Sequence, residues 1–311
     1  MNDTPTTTPK ITAIVPWFGG KRTLAPEIVV QLGKHTQYFE PFCGSMAVLL
    51  AKTPSQKETV NDLHGDLVNL ARVLQSQPHA EELYDRLQRA LMSEALLEQA
   101  RIVLDDESAI SLIASFEKSL TAYGVDRAYW YFLASWMGRN GTAGTARTDY
   151  QLAVRWTKNG GSPTIRWRNA VDSIPAWHER LKNVVILRRD AFRIIDRFED
   201  VKETAIYADP PYHAATRSKI KDGRGGVYKH EFDHDNPLFG DDHKRLRDIL
   251  GGYRNARVVV SYYDCPQIRE LYAGWTFISK TRHKHLHVQN GKGAGFKEAL
   301  EILIVNGPAY E

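Results

Sequence analysis

The stretch Ala205-Ile206-Tyr207-Ala208-Asp209-Pro210-Pro211-Tyr212 decides how this chain is read. Its first four residues form a short apolar run, the pattern of a buried β-strand. Proline has no N–H and cannot continue a sheet ladder, so Pro210 and Pro211 stop the strand and stiffen the turn. The turn presents a carboxylate (Asp209), a backbone carbonyl (Pro210) and an aromatic ring (Tyr212). Together these suit a planar base with an exocyclic amine: two acceptors for the amine hydrogens and a ring to stack on. Two acceptors also favour a pyramidal nitrogen with a localised lone pair, so catalysis rests on positioning and field rather than on a strong base. An ordinary strand-end turn could carry the same letters, and the rest of the chain decides between the two.

Upstream, Pro16-Trp17-Phe18-Gly19-Gly20-Lys21-Arg22 precedes an amphipathic stretch, Leu24 to Leu32. Tyr38-Phe39-Glu40-Pro41-Phe42-Cys43-Gly44-Ser45-Met46-Ala47 then leads into Val48-Leu49-Leu50-Ala51. The layout is strand, Gly-containing turn, helix, which lets backbone approach a ligand closely at the carboxyl end of the first strand of an α/β sheet. It lacks both the three-glycine dinucleotide spacing and the Gly-Lys-Ser/Thr ending of a phosphate-binding loop. Glu58 to Asp62 reads as a second strand ending in an acid. Such an acid binds ribose hydroxyls or caps the helix starting near Leu63, and the two roles can coexist.

In this order, Trp17-x-Gly19-Gly20-Lys21, Glu40-Pro41-Phe42-x-Gly44-Ser45, Asn61-Asp62 and Asp209-Pro210-Pro211-Tyr212 resemble the DNA adenine-N6 methyltransferases of the alpha arrangement. The resemblance covers most of the chain and is weakest from about residue 75 to 180. It implies a Rossmann-like α/β sheet and S-adenosylmethionine as methyl donor, with no metal. It places Trp17, Lys21, Glu40, Pro41, Phe42, Gly44, Ser45, Asp62 and Asp209 at the donor site, with Lys21 also near DNA. Asp209, Pro210, Pro211 and Tyr212 would hold the target adenine. Asp190 and Phe192, just past the strand-like Val184 to Leu187, resemble an acid and aromatic that contact the donor's adenine, the aromatic one place late. Val258 to Tyr262 resembles a further strand of the fold, with Ser261 at its rim. Met46 departs from the small residue usual there, which bears on donor affinity.

At 311 residues, 42% hydrophobic and 25% charged, the chain has room for a large α/β domain and a smaller one. No apolar run reaches the length of a membrane span, and residues 1–10 are polar, so a cytoplasmic protein is expected; the resemblance implies a bacterial or phage-encoded one. Cys43 and Cys265 are too few for a disulfide framework, and Cys43 reads as a small apolar residue. The net charge of +4 is modest, but its distribution is not even. Arg127 to Arg168 holds seven Lys/Arg against Asp149, Arg217 to Lys229 holds five against Asp222, and Lys280 to Lys297 holds five and no acid. Three such segments suit a phosphate-lined face.

The methyltransferase signals span 1–74 and 183–311, expected to form the catalytic domain. Between them, 75–182 is expected to be a mostly helical target-recognition domain, with helical spacing over 79–104, Ile110 to Tyr123 and Asp126 to Met137. A polar, Gly-rich stretch follows to Pro163. Within it Arg139, Asn140, Arg155 and Lys158 are candidate DNA contacts, because Arg reads guanine and Asn reads adenine on major-groove edges. The glycine-rich basic loop after Tyr212 suits a flap, and His283, His285 and His287 alternate as in a basic hairpin.

The expectation is therefore a monomeric, site-specific enzyme that flips adenine from duplex DNA and methylates N6, with a cognate restriction endonuclease as a candidate partner. The alternatives are N4-cytosine methylation, disfavoured by the carboxylate of Asp209, and a catalytically inactive DNA-binding relative. A small-molecule methyltransferase is disfavoured by the basic insertion.

Overall fold

The computed structural model describes residues 9, 11–17, 19–105, 122–138, 152–154, 162–213, 230, 232, 240–280 and 300–310. Arg139, Asn140, Arg155, Lys158, most of the basic loop after Tyr212, and His283, His285 and His287 lie outside them.

The predicted strand 205–208 is β4 (Thr204–Ala208), every residue of which is buried. It pairs in parallel with β1 (Gln37–Glu40) on one side and β5 (Arg257–Tyr263) on the other. A strand flanked on both edges and covered on both faces has no polar side, which explains its unbroken apolar run. Outward from β1 come β2 (Lys57–Asn61) and β3 (Val185–Leu187), both parallel. Beyond β5 lie β7 (Glu301–Asn306), antiparallel to it, and β6 (Thr276–Lys280) at the edge. The seven-stranded order is β3-β2-β1-β4-β5-β7-β6, a Rossmann-like sheet.

The strand period of two sorts side chains onto two faces. Tyr38, Ala205, Tyr207, Val259 and Leu303 enter one apolar cluster; Phe39, Ile206, Ala208, Val258, Val260 and Ile304 enter the other. The first face is covered by α1 (Ala25–Leu32), α2 (Ala47–Ala51) and α3 (Gly65–Gln75), and its cluster continues into five helices of the middle segment among the described residues. These are α4 (Gln77–Arg89), α5 (Glu94–Asp105), α6 (Ala122–Met137), α7 (Pro163–Val171) and α8 (Ile174–Leu181). The opposite face carries α9 (Ala191–Ile195), α10 (Asp242–Gly251) and α11 (Pro266–Leu271).

Helix α6 packs on both α3 and α5. Arg127 of α6 holds Asp66 of α3 through two nitrogens, at 2.7 and 3.1 Å, and donates to the Val103 and Leu104 carbonyls near the end of α5. The sequence places Arg127 in a basic segment suited to a phosphate-lined face. It is buried instead, its donors occupied by the α3–α5–α6 junction. Arg166 likewise turns toward the Trp136 carbonyl, 3.2 Å away. The chain before Trp17 is pinned to the same helices: Trp136 and Trp177 donate indole N–H groups to the carbonyls of Ile14 and Ile11, at 3.1 and 2.8 Å.

Candidate active site

Strands β1 to β5 all end on one edge of the sheet, and the antiparallel β7 begins there, with Glu301 opposite Tyr263. Chain order reverses between β1 and β4, the switch point at which open α/β sheets bind ligands. A cleft of about 770 Å³, counted out to its open mouth, lies at this edge. Its walls include Trp17, the Pro41–Gly44 turn, Asp62 and Asp209 to Pro211. The sequence-predicted donor and acceptor elements therefore meet in one cavity.

Each wall has a local cause. Gly44 has φ of 44°, in the left-handed region, and a Cβ there would stand 2.9 Å from Trp17 Nε1. Glycine thus lets the indole lie directly on the turn. Asp62 Oδ2 accepts the Gly44 N–H at 2.9 Å, and its Oδ1 accepts the His64 N–H at the same distance. The capping reading of Asp62 is corrected: the N-cap of α3 is His64, whose Nδ1 accepts from Leu67. Asp62 instead braces the glycine turn, and burial raises its pKa against the opposing effect of those backbone donors. Each carboxylate oxygen has two acceptor sites, so Asp62 keeps capacity for a ribose hydroxyl beside its backbone donors. Asn61 joins the turns after β1 and β3, donating to the Pro41 and Arg189 carbonyls at 3.0 Å each.

Asp209 follows β4 directly, at the centre of the sheet. Its Oδ1 accepts from Ser261 at 2.8 Å, and its Oδ2 lies 2.7 Å from Lys21 Nζ. Burial raises its pKa, opposed by the Lys21 ammonium. Lys21 is 5% exposed, donates to the Gly19 carbonyl at 2.8 Å and lies 4.9 Å from the centre of the Tyr212 ring. Tyr212 is buried beside the cleft, its hydroxyl donating to Glu301 at 2.6 Å and its ring edge-to-face with Tyr263.

Other predicted residues stand elsewhere. Glu40 is 2% exposed, takes the Tyr38 hydroxyl at 2.8 Å and a backbone hydrogen bond from Leu49, and does not line the cleft. Burial pushes its pKa up to about 8. Ser45 is buried beneath the turn, its carbonyl accepting from Ile14. Asp190 caps α9 through the Arg193 N–H and lines a neighbouring groove with Phe192, while Ala191 faces the cleft. Phe192 packs against Phe232, which also lines the cleft. Met46 has φ of 59°, and its side chain is wholly buried in the core, away from the cleft. Sequence reasoning missed His64, Phe232 and Glu301. The only signal for Glu301 was an acid opening an apolar strand.

A mostly parallel sheet with a glycine turn and the acid Asp62 on one side of its switch point, and Asp-Pro-Pro-Tyr on the other, defines a Rossmann-like methyltransferase. The chain belongs to the D12 class N6 adenine-specific DNA methyltransferase family, which matches residues 17–286. It is similar to the Retron Ec67 DNA adenine methylase of Escherichia coli, 26% identical over 312 positions that cover 96% of this chain and 92% of that protein. It is also similar to the Type II methyltransferase M1.LlaDCHI of Lactococcus lactis subsp. cremoris, 24% identical over 297 positions, 93% of each chain. The family fixes the activity as DNA adenine methylation rather than N4-cytosine methylation, and implies S-adenosylmethionine as methyl donor. Among the described residues, no helix is long and apolar enough to cross a membrane.

Proposed function

We propose that the cleft binds S-adenosylmethionine against Trp17, the Pro41–Gly44 turn and Asp62, and that Asp209, Pro210 and Tyr212 present the target adenine to it. The observation that carries this reading is the shared cavity: the glycine turn, Asp62 and Asp209 to Pro211 all wall the same cleft. The donor supplies an electrophilic sulfonium methyl. Asp62 would accept from ribose hydroxyls while keeping its brace on Gly44, and the aromatic walls would shed water around the donor. Asp209 and the Pro210 carbonyl would accept hydrogen bonds from the two N6 hydrogens and orient the amine lone pair toward the methyl.

A paired adenine cannot reach such a pocket, so the base is extruded from the duplex at a cost of a few kcal/mol. Stacking on an aromatic ring recovers about 1–3 kcal/mol per base. Tyr212 is the ring placed by sequence, and it would take this role once its cover by Lys21 and Tyr263 yields. Residues 75–182 serve as the target-recognition domain in this reading, with Arg139, Asn140, Arg155 and Lys158 contacting DNA. Residues 1–74 and 183–311 serve as the catalytic domain. The enzyme works as a monomer in the cytoplasm, and the name of the Lactococcus relative, a Type II methyltransferase, supports a restriction endonuclease as its partner.

Calorimetry with S-adenosylmethionine, paired with methyl transfer by Asp209→Ala, tests the reading. The mutant should lose methylation of unmethylated DNA while its donor affinity falls less. Absence of donor binding by the wild type, or full activity of Asp209→Ala, would overturn it.

A further inference from the structure

The Lys21 ammonium occupies the position on Asp209 proposed for the target amine. Ser261 already bonds Oδ1, so Oδ2, 2.7 Å from Lys21, is the oxygen an incoming amine must share or take. Lys21 is buried, and a buried ammonium stripped of its partner is strongly destabilised. A second carboxylate stands beside it: Glu301 Oε1 lies 3.3 Å from Lys21 Nζ and accepts the Tyr212 hydroxyl at 2.6 Å. Glu301 is 5% exposed and opens β7, whose pairing with β5 fixes it across from Tyr263.

We infer that Glu301 is a positioning residue: it receives the Lys21 ammonium when Asp209 turns its second oxygen to the target amine, and it anchors the ring of Tyr212 in the same movement. Glu301 touches no substrate. It converts the loss of a buried ion pair into an exchange between neighbouring carboxylates. Because one oxygen serves both Lys21 and Tyr212, the exchange is coupled to the aromatic element of the turn. The inference rests on the reading of Asp209 as the acceptor of the target amine.

The test is a double-mutant cycle with the full-length protein, unmethylated plasmid DNA and radiolabelled S-adenosylmethionine under single-turnover conditions. Glu301→Gln keeps the shape and an acceptor for Tyr212 but removes the charge. It should slow methyl transfer by roughly tenfold while donor affinity stays within about threefold, the magnitude of a coupled pair. In a Lys21→Ala background the same substitution should change the rate by less than about threefold, because there is no ammonium to receive. Equal losses in both backgrounds would overturn the inference, since a purely structural Glu301 acts without regard to Lys21. Glu301→Asp keeps the charge and serves if the glutamine variant melts early; near-normal transfer supports the exchange, and a loss as large as that of a neutral side chain refutes it. Failure of the Asp209 reading is separately visible, as retained activity in Asp209→Ala.

Discussion

The Ser261 hydroxyl donates to Oδ1 of Asp209 at 2.8 Å, joining β5 to the end of β4 across 52 residues of chain. Tyr207 lies 2.9 Å behind Ser261, so the hydroxyl is held from both sides. Asp209 is thereby left with one oxygen committed to the fold and one facing Lys21.

Ser261→Ala should therefore act on chemistry more than on donor binding. A hydrogen bond to a charged group is worth about 1.5–3 kcal/mol, so methyl transfer should fall roughly tenfold or more. That bond favours the ionised carboxylate, so its removal raises the Asp209 pKa further, and the ascending limb of the pH–rate profile should move to higher pH. A pH series of single-turnover rates checks both. An unmoved limb would remove Ser261 from the control of Asp209.

Gly44→Ala tests the contact between turn and indole. The substitution places a Cβ 2.9 Å from Trp17 Nε1 at a backbone position with φ of 44°. The backbone alone costs about 1–3 kcal/mol. Trp17 must also move from the cleft wall, so affinity for S-adenosylmethionine should drop by about tenfold or more, as measured by calorimetry. Unchanged affinity would separate Trp17 from the donor site.

Glu40 makes stability depend on pH. Its pKa rises from 4.5 to about 8 on burial, so between these values the folded chain keeps a proton that the unfolded chain releases. Stability then falls as pH rises through this window, at up to about 1.4 kcal/mol per pH unit, and the loss is complete above the folded value. Glu40→Gln carries no such proton. The difference in melting temperature between wild type and Glu40→Gln should shift against the wild type from about pH 5 to pH 8. A constant difference would mean that Glu40 is ionised in the fold.

Met46→Ala should lower stability by about 2–5 kcal/mol, the usual cost of truncating a buried methionine. Donor affinity should change little, because the side chain lies in the core and not in the cleft. Denaturant melts and calorimetry together check this, and weakened donor binding without loss of stability would contradict it.

Much of this molecule was legible along the chain because its informative signals are local. A strand buried on both faces must be apolar throughout, proline must stop it, and a tight turn against an indole must use glycine. Those constraints bind neighbouring residues, so Ala205 to Tyr212, Glu40 to Ser45 and Asn61-Asp62 announce the sheet and the edge where its ligands bind. Tertiary structure alone decided which of the polar residues reach the cleft. Glu40 and Asp62 look alike in sequence, each an acid at the end of a strand. The pleat turns Glu40 into the core beside Tyr38, whereas Asp62, one residue beyond β2, reaches Gly44 and the cleft. The burial of Arg127, the grip of Ser261 on Asp209 and the arrival of Glu301 beside Lys21 likewise depend on elements distant in sequence, brought together only when sheet and helices pack.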